Sequence, residues 1–302
     1  MGVRRRPSAR PVKEDASMPA SRSHLSRLAH LSGLAHLSGL ALSIVAALLV
    51  APALAETQDP WPDLARDVFD RRPLADGRGI VSIEMPARAE DAALVPVTLR
   101  AQLPAGDGRA VKALTLIIDE NPAPVAATFT VGGHASTTSI ATRVRVNAYT
   151  NVHAVAELSD GALYMVKTYV KASGGCSAPA AKNAEEARKG LGEMRFRQFA
   201  AADAAPASRL REAQIMIRHP NNSGLQMDQV TRAYAPAHFV QTVKVWQGEE
   251  LVLAMEGGIS LSEDPNIRFT YAPNGAKNFR VEARDTENLV FKGEWPVELS
   301  QM

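Results

Sequence analysis

The chain contains one cysteine, Cys176, and the residues around it decide what chemistry its sulfur can do. It lies in Lys171-Ala172-Ser173-Gly174-Gly175-Cys176-Ser177-Ala178-Pro179-Ala180-Ala181, with no bulky apolar side chain near the sulfur. Gly174 and Gly175 lift the steric restriction on the backbone before the thiol, and the small residues after it extend that freedom. A thiol presented this way is expected to be open and mobile, Gly174 and Gly175 serving as its hinge. The competing expectation is a buried cysteine acting as a small hydrophobe. That reading requires strand or helix periodicity around the residue, whereas the alternation of Leu163-Tyr164-Met165-Val166-Lys167-Thr168-Tyr169-Val170 stops just before the glycines.

Other chemistries find less support. His134, His153, His219 and His238 are scattered without a His-x-x-x-His or Cys-x-x-Cys spacing, and one cysteine excludes the usual structural zinc clusters. No metal or other cofactor is expected. Gly132-Gly133 and Gly257-Gly258 fall in strand-like contexts and neither opens a helix, so they do not make phosphate loops. A Cys-His enzyme is the serious alternative, since one cysteine and a distant histidine can form a dyad. Such enzymes hold the nucleophile at a helix start, where fixed dipoles lower the thiol pKa from about 8.5. A glycine hinge leaves the sulfur unpinned, which suits a carrier and hurts a catalyst.

The elements that must position Cys176 are mostly strands. Trp61, Leu64, Val68 and Phe69 recur at helical spacing, with Asp63 as a cap, and Trp61 reads as a packing anchor. Period-two alternation then marks Ile80 to Met85, Val95 to Leu103, Thr115 to Ile118, Ala126 to Val131, Thr138 to Ala148, Val152 to Leu158 and Leu163 to Val170. Ser159-Asp160-Gly161 supplies a hairpin turn before the last of these. Ser173 to Ser208 is rich in small and charged residues and reads as a flexible, partly helical linker, with Met194-Arg195-Phe196-Arg197-Gln198-Phe199 as its sticky part and Phe196 docking on a domain. From Arg211 a second strand-rich block follows, with turns at Trp246-Gln247-Gly248-Glu249 and Asp285-Thr286-Glu287-Asn288. The expected fold class is all-β, with two immunoglobulin-like antiparallel sandwiches: 56–172 with an N-terminal helix, an arm and linker at 173–208, and 209–302.

Residues 1–55 read as an export signal. Basic residues up to Arg27 precede a Leu/Ala-rich run to Val50, and Ala53-Leu54-Ala55 fits small-x-small cleavage before Glu56. The apolar run falls short of the roughly 20 residues a bilayer crossing needs, so no stable membrane insertion is expected. With 46% apolar and 22% charged residues the chain is composed as a globular protein, and its net charge of +2 gives no case for nucleic acid. Export would place an unpaired thiol in an oxidising compartment, where it is a liability unless something uses it.

Two groups of residues carry a family resemblance. Asp160-Gly161 through Tyr169-Val170-Lys171-Ala172-Ser173-Gly174-Gly175-Cys176 resembles the end of SoxY, the sulfur-carrying subunit of the periplasmic thiosulfate-oxidising system, whose cysteine sits on a Gly-Gly-Cys-Gly-Gly arm. Arg218-His219-Pro220, Pro236-Ala237-His238-Phe239, Pro265-Asn266 and Phe269 resemble its partner SoxZ. The order, Y then Z, is similar to the fused SoxYZ-like carriers associated with quinoprotein dehydrogenases. The resemblance implies that Cys176 is the covalent attachment point for a small, thiosulfate-derived group and that Gly174 and Gly175 are the hinge. It also implies partners that are periplasmic redox enzymes: c-type cytochromes, sulfur-oxidising enzymes or quinoprotein dehydrogenases. It departs from the family in two ways. Here 126 residues follow the cysteine, so the arm is tethered at both ends, and Ser177-Ala178 replace the trailing glycines. The two halves are expected to pair within one chain, with homo-oligomer formation left open. His219 and His238 are assigned structural roles at strand edges.

The preferred reading is a periplasmic carrier without turnover of its own. An accessory binding module of a quinoprotein dehydrogenase, with the thiol incidental, is the alternative, and a thiol enzyme the third.

Overall fold

The computed structural model describes residues 59–133, 137–179, 189–199, 210–228 and 231–298. The expected leader at 1–55, His134, and the helical part of the linker within 180–188 lie outside these residues.

Alternation builds the strands. In β3 (Val95–Gln102), Val95, Val97, Leu99 and Ala101 turn inward, while Pro96, Arg100 and Gln102 face solvent. In β6 (Thr137–Val144) the buried set is Thr138, Ile140, Thr142 and Val144. Such strands present one apolar face each and must pack face to face. The others in the first half are β1 (Leu74–Asp76), β2 (Val81–Glu84), β4 (Val111–Ile118), β5 (Val125–Val131), β7 (Thr150–Leu158) and β8 (Leu163–Val170). The second half contributes β9 (Met194–Phe199), β10 (Arg211–Ile217), β11 (Val240–Gln247), β12 (Glu250–Gly257), β13 (Asn266–Tyr271), β14 (Asn278–Asp285) and β15 (Val290–Pro296).

These strands form two sheets, and both run through the two halves. The nine-stranded sheet has the order β1-β8-β7-β4-β5-β12-β11-β14-β15, and the six-stranded sheet β2-β3-β6-β13-β10-β9. The halves meet where β5 pairs antiparallel with β12, Phe129 opposite Met255, and where β6 pairs with β13, Ile140 opposite Phe269. One apolar core therefore spans both, with Phe129, Ile140, Met255 and Phe269 in a single cluster. The molecule is an all-β sandwich whose two blocks are joined edge to edge, a union that the two-module reading of the sequence does not disclose.

Three local features differ from the sequence reading. β1 pairs in parallel with β8, Leu74 opposite Leu163, and its three residues are too few to show alternation. Met194–Phe199, read as linker, is the edge strand β9 on β10, where Phe196 packs against Phe279 and Trp295. The helix, α1 (Trp61–Val68), has Pro60 at its N-cap; Asp59 Oδ1 accepts the Trp61 N–H, and Asp63 lies inside the first turn instead of capping it. This helix covers the outer face of the nine-stranded sheet, where Phe69, Ile117, Val155 and Leu163 form a second apolar cluster. Trp61 stacks there on the His153 ring at 3.5 Å between centroids. Among the described residues no helix is long and apolar enough to cross a membrane.

Candidate functional site

Cys176 is fully buried, at 0% exposure. The expectation of an open, mobile sulfur is therefore corrected. Small neighbours do not leave the segment free; they let it lie flush on the protein. The Gly174 N–H donates to Asn147 O at 2.8 Å and the Gly175 N–H to Val146 O at 3.0 Å. Gly174 has φ +78°, a left-handed conformation that glycine adopts without strain. At Gly175 a Cβ would fall 2.0 Å from Ala92 O, so glycine is required there by close approach of backbone. In this conformation the two expected hinge residues hold the arm down.

The seat is finished by two residues from elsewhere in the fold. Arg145 is 2% exposed, and its guanidinium donates Nη1 to Gly175 O at 3.4 Å and Nη2 to Asn221 O at 3.1 Å. Its Nε is buried without a hydrogen-bond partner. The strand ends at Val144, so Arg145 leaves the alternation that turns Arg143 outward and points into the protein. Ser223 of the second half donates its hydroxyl to Cys176 O and accepts the Leu225 N–H at 3.2 Å. Both halves thus close over the arm.

Electrostatics follow from this burial. Desolvation pushes the Cys176 thiol above its ordinary pKa, and the Arg145 guanidinium counters only part of the rise. Desolvation likewise lowers the Arg145 pKa, against the opposing influence of Glu263, Cys176 and Asp91. A sealed thiol of raised pKa is a poor nucleophile while it stays in its seat.

A second polar cluster adjoins the seat. Asp285 Oδ2 accepts the His238 Nε2 proton at 2.8 Å and faces His219 Nε2 at 3.5 Å, while Oδ1 accepts the Glu287 and Leu289 N–H groups at 2.9 Å. Burial alone would raise the Asp285 pKa, but the His238, Leu289 and His219 hydrogen bonds outweigh it and hold the carboxyl below its usual value. Desolvation, reinforced by His238, pushes His219 down to about 4.

The ligating atoms of His219, His238 and Asp285 lie within 4.8 Å of one another, a spacing that could suit a metal ion. The hydrogen bonding does not fit one. His219 Nδ1 accepts the Asn221 N–H at 3.0 Å, so the ring proton of the neutral imidazole is on Nε2, where a metal would have to bind. The cluster ties the second half together instead. Its loop reaches the seat through Asn221, whose carbonyl oxygen accepts from Arg145 and whose side-chain oxygen accepts the Val240 N–H at 3.1 Å. His238 precedes β11 and pairs with Asn222 through an isolated bridge. His153 stands apart, its Nδ1 2.9 Å from Asp119 Oδ1 beneath α1.

Two family models match the chain in succession. The first, described as sulfur oxidation protein SoxY, matches residues 65–176 and ends on Cys176 itself; the second, sulphur oxidation protein SoxZ, matches residues 200–296. The chain therefore carries a SoxY domain followed by a SoxZ domain, a fused SoxYZ-like architecture. The SoxY half is also similar to the sulfur carrier protein SoxY from Chlorobium limicola f thiosulfatophilum, at 23% identity and a TM-score of 0.31, over 37% of this chain and 91% of that one. A superoxide reductase (neelaredoxin) from Ignicoccus hospitalis is similar at 15% identity and a TM-score of 0.24, over 30% and 79% of the respective chains. A comparison with curated proteins returns no match. The SoxY half supplies Cys176 and Arg145, and the SoxZ half Asn221 and Ser223. The sequence reading found the sulfur and the two histidines but missed Arg145, Ser223 and Asp285. The sequence gives no signal for the first of these, because Arg143-Val144-Arg145-Val146 reads as unbroken alternation with both arginines outward.

Proposed function

We propose that this SoxYZ fusion, a carrier of the sulfur-oxidation type, works in the periplasm and holds a thiosulfate-derived group on Cys176 for partner enzymes. The observation that carries the reading is the SoxY match, which ends on the one cysteine of the chain. Arm and seat add a physical requirement. The sulfur has no exposed surface, so attachment requires residues around 174–177 to leave Asn147, Val146, Arg145 and Ser223. These are a handful of hydrogen bonds, each contributing about 1 kcal/mol, and they can open without disturbing the sheets.

Forming a bond between the thiol sulfur and the terminal sulfur of thiosulfate releases one proton and two electrons. The electrons need an acceptor, and a c-type cytochrome partner fills that role. The chain would supply the handle, while loading and release fall to sulfur-oxidising enzymes or quinoprotein dehydrogenases. Intact mass of protein purified from its own host, before and after reductant, tests this: a reducible adduct on Cys176 is expected, and its absence under every growth condition would overturn the reading.

The burial of the thiol favours a second reading, an accessory module that docks a quinoprotein dehydrogenase with the sulfur incidental. Cys176→Ser separates the two. A carrier loses function with that substitution, and a docking module keeps it.

A further inference from the structure

The outer face of the six-stranded sheet has a recess of 440 Å³ where β6, β9, β10 and β13 end. Three arginines line it. Arg143 is the last outward-facing residue of β6, Arg195 projects from β9 opposite Met216 of β10, and Arg218 follows β10. Three guanidinium charges share the lining with two carboxylates, those of Glu193 and Asp264. Arg143 gives Nη2 to the carbonyl oxygen of Asp264 at 3.1 Å, not to a carboxylate. The Nε atoms of Arg143 and Arg218 are buried and have no hydrogen-bond partner. Of the two acids, Asp264 Oδ1 accepts the His219 N–H at 3.1 Å, and the Glu193 carboxyl lies against Gly190.

Buried guanidinium N–H groups seek acceptors, which a bound water, ion or ligand can supply. Guanidinium forks match tetrahedral oxyanions in both charge and geometry. A recess of this volume admits a small ion more readily than a macromolecular surface, and Met216 gives it a partly apolar floor.

We propose that Arg143, Arg195 and Arg218 form a binding site for a free tetrahedral oxyanion of the sulfate, thiosulfate or phosphate type. The site lies outside the seat of Cys176 and does not depend on the thiol. It gives the junction of the two halves, with Arg143 from the first and Arg195 and Arg218 from the second, a ligand-binding role.

Isothermal titration of the folded protein with sodium sulfate, thiosulfate and phosphate, against a sodium chloride control of equal ionic strength, tests this. One saturable site is expected for at least one of the three, and their ranking names the preferred oxyanion. Arg218→Met and Arg195→Met should each weaken binding at least tenfold; Arg195 is exposed, so its substitution spares the fold. Arg197→Met, on the same strand but outside the recess, should leave affinity unchanged, as should Cys176→Ser. Unsaturable heats, equal heats with chloride, or equal losses in Arg197→Met and Arg195→Met would each overturn the site.

Discussion

His219 stays neutral in the fold at pH values where an unfolded chain would protonate it. Its pKa falls from an ordinary 6.5 to about 4 because it is desolvated and faces His238. Between those two pH values the unfolded chain binds a proton that the native protein does not, so stability rises with pH across that window. The stabilisation is complete above pH 6.5 and is lost as pH falls toward 4. A shift of this size corresponds to something on the order of 3 kcal/mol. Urea unfolding at pH 7 and pH 4 should show that loss, and it should shrink in His219→Asn, whose side-chain oxygen can still accept the Asn221 N–H. The depressed Asp285 pKa has the same sign at lower pH, with stability falling further as its carboxylate protonates. The sulfur responds in the opposite direction. Its raised pKa makes alkylation by a small maleimide slower than for a free cysteine at pH 7, with the rate climbing toward alkaline pH.

At the scale of the element, the arm is a short loop held by backbone contacts, so small changes should release it. Gly175→Ala places a methyl group 2.0 Å from Ala92 O and prevents seating. Maleimide labelling of Cys176 should then approach the rate of an exposed thiol, while the thermal midpoint moves by less than about 5 °C because the sheets are untouched. Ser223→Ala removes one hydrogen bond to the arm, worth about 1 kcal/mol, and should speed labelling about fivefold. Why the strands were legible and the seat was not has a physical reason. Alternation such as that of β3 is written in adjacent residues, and hairpin glycines such as Gly161, at φ +84°, announce the turns. β9 alternates too, with Arg195 and Arg197 outward, but it sits between stretches of small residues that disguise it as linker. The seat is assembled across long separations. Arg145 lies 30 residues from Gly175, and Ser223 lies 47 from Cys176, so no local pattern around the glycines records either partner.

Across the whole molecule, the two halves share hydrogen-bonded sheets and one apolar core, so neither is expected to melt alone. Scanning calorimetry should give a single transition for residues 58–302 with equal calorimetric and van't Hoff enthalpies. Two resolved peaks would contradict the joined sheets. Produced as separate chains, 58–179 and 189–302 would each expose the edges that form the β5–β12 and β6–β13 pairs. Unpaired edges of this kind invite aggregation, and co-expression should restore soluble material by letting them pair. Fusion makes that pairing intramolecular and therefore independent of dilution.

The lid over Cys176 also sets a ceiling on traffic. When every encounter must wait for a spontaneous opening, a more abundant donor accelerates loading only until each opening is used, after which the rate depends on the protein alone. Sulfur flow through such a carrier would then be governed by how often Ser223 and Arg145 let go, and raising the supply beyond that point would leave the queue moving no faster.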